Sequence, residues 1–145
     1  MDGYLKARRM RGTIVCGVVD TCEGRAAVAV AVDLCERLGL RLVLAHVTEG
    51  AGSAGRATGA ELLARVAAEH GVAGTAERRE AYGDVATRLG QIAAEEAADL
   101  ILVGHRARGR LRGRLGSDVA KELEAETAIP VFIAPPSRRR GARAP

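Results

Sequence analysis

Aromatic side chains are nearly absent from this chain of 145 residues, in which they make up 2% of the composition. There is no Trp, and the single Phe is Phe132. Proteins that bind single-stranded nucleic acid stack bases on aromatic rings, so this composition argues against that class. Hydrophobic residues still account for 48% of the chain, which is enough to build the core of one domain from Val, Leu, Ile and Ala.

Cysteine is also scarce. Cys16, Cys22 and Cys35 are odd in number and form no C-x-x-C pair, which argues against a disulfide framework and against a structural zinc site. Cys16 and Cys35 lie in apolar runs and are expected in the core, whereas Cys22 lies in a predicted turn. The three histidines have no spacing that suggests a metal, so no metal site is predicted.

Long apolar runs and two nucleotide-binding patterns are missing as well. No stretch approaches the ~20 residues that span a bilayer, and the N-terminus lacks the apolar segment of a secretory signal. We therefore expect a cytoplasmic protein without a membrane partner. Neither G-x-x-x-x-G-K-[ST] nor G-x-G-x-x-G occurs, which argues against a P-loop NTPase and a dinucleotide dehydrogenase. We expect no catalytic residues and no enzyme.

Positive charge is present but concentrated. The net charge is +4, and the excess arginine lies at the start, in one loop and in the tail. This pattern predicts a basic N-terminal tail over residues 1–11, one domain over residues 12–136 and a basic, disordered tail over residues 137–145. Non-specific attraction to polyanions follows from it, but specific recognition of nucleic acid has no support in the sequence.

Five short apolar runs alternate with four helical patterns. The predicted strands span residues 13–19, 40–47, 73–82, 99–103 and 129–134. Arg and Glu interrupt the third run, which suits an edge strand, whereas the first is apolar and suits the centre. The alternation predicts an α/β fold with a single doubly wound, parallel five-stranded sheet, strand order 3-2-1-4-5 and helices on both faces.

In such a sheet a ligand binds where the strand order reverses, here between the ends of the first and fourth strands. The first of the two loops, residues 18–24, contains a predicted turn at residues 20–24. Its Asp20 suits either a ribose hydroxyl pair or a turn or helix cap. The second loop, residues 104–117, has five arginines among glycines. It suits either phosphates or solvent, and Ser117 is the predicted N-cap of the next helix.

This arrangement resembles the universal stress protein family over residues 12–134, and it implies a Rossmann-like fold similar to that of adenine nucleotide alpha hydrolases. The matching motifs are Val19-Asp20-Thr21-Cys22, His46-Val47, Gly83-Asp84-Val85 and the glycine loop of residues 104–117. The resemblance implies a stress-response regulatory protein that binds ATP or another adenine nucleotide, with or without Mg²⁺.

The resemblance also implies roles for individual residues. Asp20 would bind the ribose, Val47 would line the adenine, and Gly116 and Ser117 would hold the phosphates. Gly104 and its neighbours would contact the nucleotide. The remaining residues expected at the site are Val18, Val19, Val103, His105, Ala107, Gly109 and Asp118. His105 suits a general acid or base by position, but a solvated loop histidine fits it equally.

The glycine loop departs from the family's G-x-x-G-x₉-G-S pattern at two points. Ala107 stands at the second glycine, and eight residues rather than nine separate it from Gly116. Gly109 offers the loop a different path. A nucleotide-free, dimeric interaction module and a slow ATPase therefore stay open as alternatives.

The predicted last strand supplies the expected interface. It begins at Ile129, ends at Ala134 and is apolar throughout, although it lies at a sheet edge in the predicted order. An exposed apolar edge pairs readily with another chain, and the family resemblance implies the same. We therefore predict a homodimer through this strand, together with a protein partner that the sequence does not identify.

Overall fold

The computed structural model describes residues 12–50, 58–105 and 116–136, with the backbone alone for residues 116–118. Its strands are β1 (Thr13–Gly17), β2 (Arg41–Thr48), β3 (Glu77–Tyr82), β4 (Leu100–Gly104) and β5 (Val131–Ala134). Its helices are α1 (Cys22–Leu38), α2 (Gly59–Glu69), α3 (Val85–Glu95) and α4 (Gly116–Glu126). Both predicted tails lie outside the described residues.

The strands form one parallel sheet in the order β3-β2-β1-β4-β5, which confirms the predicted fold. Strand β1 is central because its run of Ile14, Val15 and Cys16 is apolar on both sides, and all three residues are at most 1% exposed. Val15 lies opposite Val43 of β2 and Ile101 of β4.

Helices cover both faces of the sheet. Apolar residues of α1 and α2, such as Val28 and Leu63, pack with Leu44 on one face. Residues of α3 and α4, such as Leu89 and Leu123, pack with Val43 on the other. The alternation of side chains along each strand produces these two cores.

The two edges of the sheet differ in chemistry. Strand β3 reads ERREAY and presents mostly exposed charged side chains, as expected for an edge. Strand β5 is apolar, with Phe132 43% and Ile133 39% exposed. It begins at Val131, two residues later than predicted. Pro130 precedes it and accepts a hydrogen bond from Ile101 N, but it has no amide proton to donate to a ladder.

Other predicted boundaries also shift. Helix α1 already begins at Cys22, so residues 22–24 are helical and do not form the expected turn. Its N-cap is Thr21, whose extended backbone lets the side chain accept a hydrogen bond from Gly24 N at 2.9 Å. Helix α4 begins at Gly116, so Ser117 lies inside its first turn. The prediction that Ser117 is the N-cap is therefore wrong.

Two of the cysteines lie in the core and one lies at the surface. Cys16 and Cys35 are buried, whereas Cys22 is exposed at the start of α1. Burial raises the pKa of the Cys16 thiol to about 12 and that of Cys35 to about 11. Both buried thiols therefore stay protonated at neutral pH.

Two kinds of feature are absent from the described part of the chain. None of its helices combines the length and the apolar character that crossing a membrane requires. Its His, Cys, Asp and Glu side chains form no group of three or more that could hold a metal ion.

Candidate functional site

The carboxyl ends of β1 and β4 lie side by side where the strand order reverses. From β1 the chain passes through Val18, Val19 and Asp20 into α1, and β4 ends at Gly104. In doubly wound sheets this position forms the crevice in which ligands bind.

Helix α1 packs closely against the end of β4 at Gly104 and against the turn that precedes it at Gly24, and each contact requires a glycine. A Cβ atom added to Gly104 would lie 2.7 Å from the carbonyl oxygen of Glu23. One added to Gly24 would collide with the carbonyl of Val19. Gly104 therefore has a packing role whether or not a ligand is bound. Sequence reasoning missed Gly24, although a glycine in the first turn of a helix is a signal of close backbone approach.

The segment that leads to Asp20 is fixed through both backbone groups of Val18. Its amide donates to the carbonyl of Ala45 at 2.7 Å. Its carbonyl accepts from Nδ1 of the half-buried His46 at 2.8 Å, and because a carbonyl only accepts, Nδ1 carries the proton. Val18 is buried, whereas Val19 is 47% exposed.

Asp20 lies at the end of this segment with each carboxylate oxygen bound to a different arginine. Oδ1 accepts from Nη1 of Arg25 at 2.8 Å, and Oδ2 accepts from Nη2 of Arg65 at 3.1 Å. The hydrogen bond from Arg25 contributes most to holding the pKa of Asp20 below its ordinary value. The side chain is 57% exposed. Because Thr21 caps α1, the helix-cap interpretation of Asp20 is wrong.

Glu69 completes a group of four charges that we name the Asp20 cluster: Asp20, Arg25, Arg65 and Glu69. Its carboxylate accepts from Nε of Arg25 at 3.0 Å and lies 4.0 Å from Nε of Arg65. The hydrogen bond from Arg25 lowers the pKa of Glu69. The cluster joins the end of β1 to both α1 and α2. Sequence reasoning missed the two arginines, and Arg65 gives no local signal because it lies 45 residues from Asp20.

Two of the apolar residues predicted at the site, Val47 and Val103, lie on the face of the sheet opposite α1 and α2. Val47 is partly buried near the end of β2 and shares the face of Val43 and Ala45, which α3 and α4 cover. Val103 is buried on the same face. The partners of Asp20 come instead from α1 and α2. The structure thus brings Asp20 and Val47 to the carboxyl end of the sheet but to opposite faces.

The remaining predicted residues follow β4. His105 comes directly after Gly104 and is partly buried. Ala107 and Gly109 lie outside the described residues, as do all residues from 106 to 115 of the glycine loop. Gly116, Ser117 and Asp118 form the first turn of α4.

The comparison with family models and the comparison with solved structures agree. The sequence model of the Universal stress protein family matches residues 10–135. A solved universal stress protein in complex with cAMP is 22% identical, with a TM-score of 0.67, over 87% of this chain and 98% of that one. A universal stress protein from Archaeoglobus fulgidus in complex with dAMP is 19% identical, with a TM-score of 0.59, over 86% and 98%.

A family protein from Burkholderia pseudomallei is also 22% identical, with a TM-score of 0.61, over 87% of this chain and 96% of that one. No curated protein sequence matches the chain. At these identities the solved structures show that the fold is shared.

Proposed function

The chain belongs to the universal stress protein family, and from this premise we propose that it is a stress-response regulatory protein that binds ATP or another adenine nucleotide with little or no turnover. One observation carries the proposal. An ionised, half-exposed carboxylate, Asp20, lies at the carboxyl end of the central strand, where the strand order reverses.

A carboxylate in this position suits the ribose. It accepts hydrogen bonds, and the two ribose hydroxyls donate them. In dinucleotide-binding folds a carboxylate at the same end of the sheet, farther along the chain, binds the ribose 2′-hydroxyl. Two of the similar structures were solved with cAMP and dAMP, which both carry adenine. Their ligands support adenine nucleotides as the class of ligand for this chain.

The base and the phosphates have separate supports. Val47 offers an apolar wall for adenine, and the amides that open α4 at Gly116 suit phosphate oxygens because a helix N-terminus attracts anions. Since Asp20 and Val47 lie on opposite faces of the sheet, the nucleotide would lie across the carboxyl ends of the strands. We assign no catalytic residue, and His105 is proposed only as a contact. Nucleotide occupancy would then set the conformation of residues 104–117 and with it a surface for a protein partner.

The altered glycine pattern supports the second candidate, a nucleotide-free interaction module. Thermal unfolding distinguishes the two. A ligand at a hundredfold excess over its dissociation constant adds about 2.7 kcal/mol to the free energy of unfolding. For a domain of this size Mg-ATP should therefore raise the melting temperature by roughly 5–10 °C.

Matched ligands separate recognition of adenine from attraction to charge. GTP supplies the same phosphates with a different base, so a site with Val47 beside the base should favour ATP. A shift that GTP and heparin reproduce, and that moderate salt abolishes, would indicate a basic surface only. The absence of any shift with nucleotides would favour the interaction module and would point to Ala107 and the short spacer.

We also propose a homodimer through β5. Phe132 and Ile133 of this edge strand are exposed, whereas the opposite edge is protected by charge. Light scattering at tens of micromolar should give the mass of a dimer, and Phe132→Lys should give that of a monomer. Arg78→Lys on the β3 edge is the control and should leave the dimer intact. A monomeric mass for the unaltered protein would refute this interface.

A further inference from the structure

Asp20 is bound in a way that leaves two acceptor sites on its carboxylate. An ionised carboxylate has about four lone-pair sites, two on each oxygen. Arg25 occupies one on Oδ1 and Arg65 occupies one on Oδ2. One site on each oxygen therefore stays available at a side chain that is 57% exposed. This arrangement matches two neighbouring hydroxyl donors.

The arginines that create this arrangement come from two different helices and are themselves restrained. Arg25 lies in the first turns of α1 and Arg65 in the middle of α2, and Glu69 contacts both guanidinium groups. Two positive and two negative charges balance within the Asp20 cluster. Its effect on a ligand is thus local orientation rather than general attraction of anions.

We propose that Arg25 and Arg65 are positioning residues that aim the two free acceptor sites of Asp20 at the ribose diol and thereby select ribonucleotides over 2′-deoxyribonucleotides. The inference rests on the proposed role of Asp20 in nucleotide binding. Without either arginine, the exposed Asp20 side chain rotates more freely, and the two sites no longer present a fixed pair.

The protonation state of Asp20 supports the same role. Its charged neighbours are Arg25 on α1 and Arg65 on α2, with Glu69 behind them. The arginines lower the pKa of Asp20, so the carboxylate remains an acceptor to more acidic pH than an isolated one. A protonated carboxyl group would present a donor to the hydroxyls and lose one acceptor site.

The experiment compares ATP with dATP by isothermal titration calorimetry. The two ligands share base and phosphates and differ only in the 2′-hydroxyl. The unaltered protein should prefer ATP by about tenfold or more, the effect of one hydrogen bond to a charged group. In Arg25→Gln and Arg65→Gln this preference should fall to within about threefold, because the affinity for ATP falls more than that for dATP, which has one hydroxyl fewer to lose.

Two further variants make the result specific. Arg37→Gln removes an exposed arginine from the same helix, where Arg37 pairs with Asp33, and should keep the preference. Asp20→Ala should abolish the preference for ATP over dATP. Adding Arg65→Gln to Asp20→Ala should not change this ratio further, because the arginine acts through Asp20. Circular dichroism checks that each variant is folded. If Arg25→Gln does not fold, the result for Arg65→Gln tests the proposal.

Each contrary result has a distinct meaning. If Asp20→Ala keeps the preference for ATP, Asp20 does not bind the ribose, and both its proposed role and this inference are overturned. If Asp20→Ala loses the preference but both arginine variants keep it, the inference alone fails. Equal loss of affinity for ATP and dATP in the arginine variants also overturns it, because that result indicates a structural or general electrostatic role.

Discussion

The two ends of the sheet use charge in opposite ways. At the amino end, Arg41 of β2 donates to Thr13 of β1 and to Glu77 of β3, and it also binds Glu96 just after α3. Arg79 of β3 binds the other oxygen of Glu96. Glu96 is only 15% exposed, and its main-chain carbonyl also accepts from Arg41.

The carboxyl end has a similar number of charges, but its central carboxylate, Asp20, is exposed to solvent. Asp20 is 57% and Arg65 47% exposed, and the cluster ties loop to helices without linking strands. At the amino end the arginines converge on the mostly buried Glu96, and Arg41 joins three strands. At the carboxyl end acceptor capacity remains. We infer that the first arrangement mainly stabilises the fold and the second mainly serves binding.

The largest expected effect is on stability at the amino end. Glu96→Ala leaves Arg41 and Arg79 without a shared, mostly buried partner, so the free energy of unfolding should fall by about 1.5–3 kcal/mol. Nucleotide affinity should not change. Urea unfolding and calorimetry measure the two quantities.

Glu95→Ala is the matched control for this variant. Glu95 binds the same Arg79 but is 61% exposed, so its removal should cost at most about 1 kcal/mol. Equal losses for the two variants would contradict the proposed difference between the ends.

The next largest effect is on affinity at the carboxyl end. Asp20→Ala removes a charged acceptor from the ribose site and should weaken nucleotide binding by about ten- to hundredfold. Its cost in stability should stay within about 1 kcal/mol because the ion pairs are exposed. Asp33→Ala removes a carboxylate of equal exposure from α1 and should leave affinity unchanged. If Asp20→Ala lowers the free energy of unfolding but binds nucleotide as tightly as the unaltered protein, Asp20 is a structural residue.

The smallest effect is on the dependence of stability on pH. Hydrogen bonding from Arg41, ahead of that from Arg79, lowers the pKa of Glu96 despite its burial. Its contribution is therefore complete above its unfolded-state pKa and is lost as the pH falls through the lower folded-state value. Thermal melts in acid should show a shallower loss for Glu96→Gln than for the unaltered protein.

Asp20→Asn should change the acid slope less than Glu96→Gln does. The pKa of Asp20 is also lowered, but solvent screens the exposed pairs that lower it. A larger change for Asp20→Asn would mean that the carboxyl end stabilises the fold as much as the amino end.

Continuous apolar runs made the sheet predictable. The run through Val15 and Cys16 indicates a strand buried on both faces, and charges in β3 indicate an edge, so the strand order followed from the sequence. Boundaries were less predictable because local signals competed. Gly24 resembles a turn residue, yet Thr21 caps a helix that includes it.

The position of Asp20 was predictable and its partners were not. A carboxylate directly after the first strand marks the switch point from sequence alone. Its contact with Arg65 depends on the rotation of α2 against the sheet, which the packing of Leu63 and Val66 sets. The opposite faces of Asp20 and Val47 likewise follow from the pleat of each strand, which motif matching does not register.

Because the three thiols differ in burial, their alkylation rates report on two separate properties of the protein. Cys22 opens α1 beside the contact with Gly104, so its modification rate reports on access to the carboxyl end. Cys16 in β1 and Cys35 in α1 become reactive only when the core opens, since both are buried and protonated. Mass spectrometry of partly alkylated protein therefore separates local exposure from global unfolding without an introduced label.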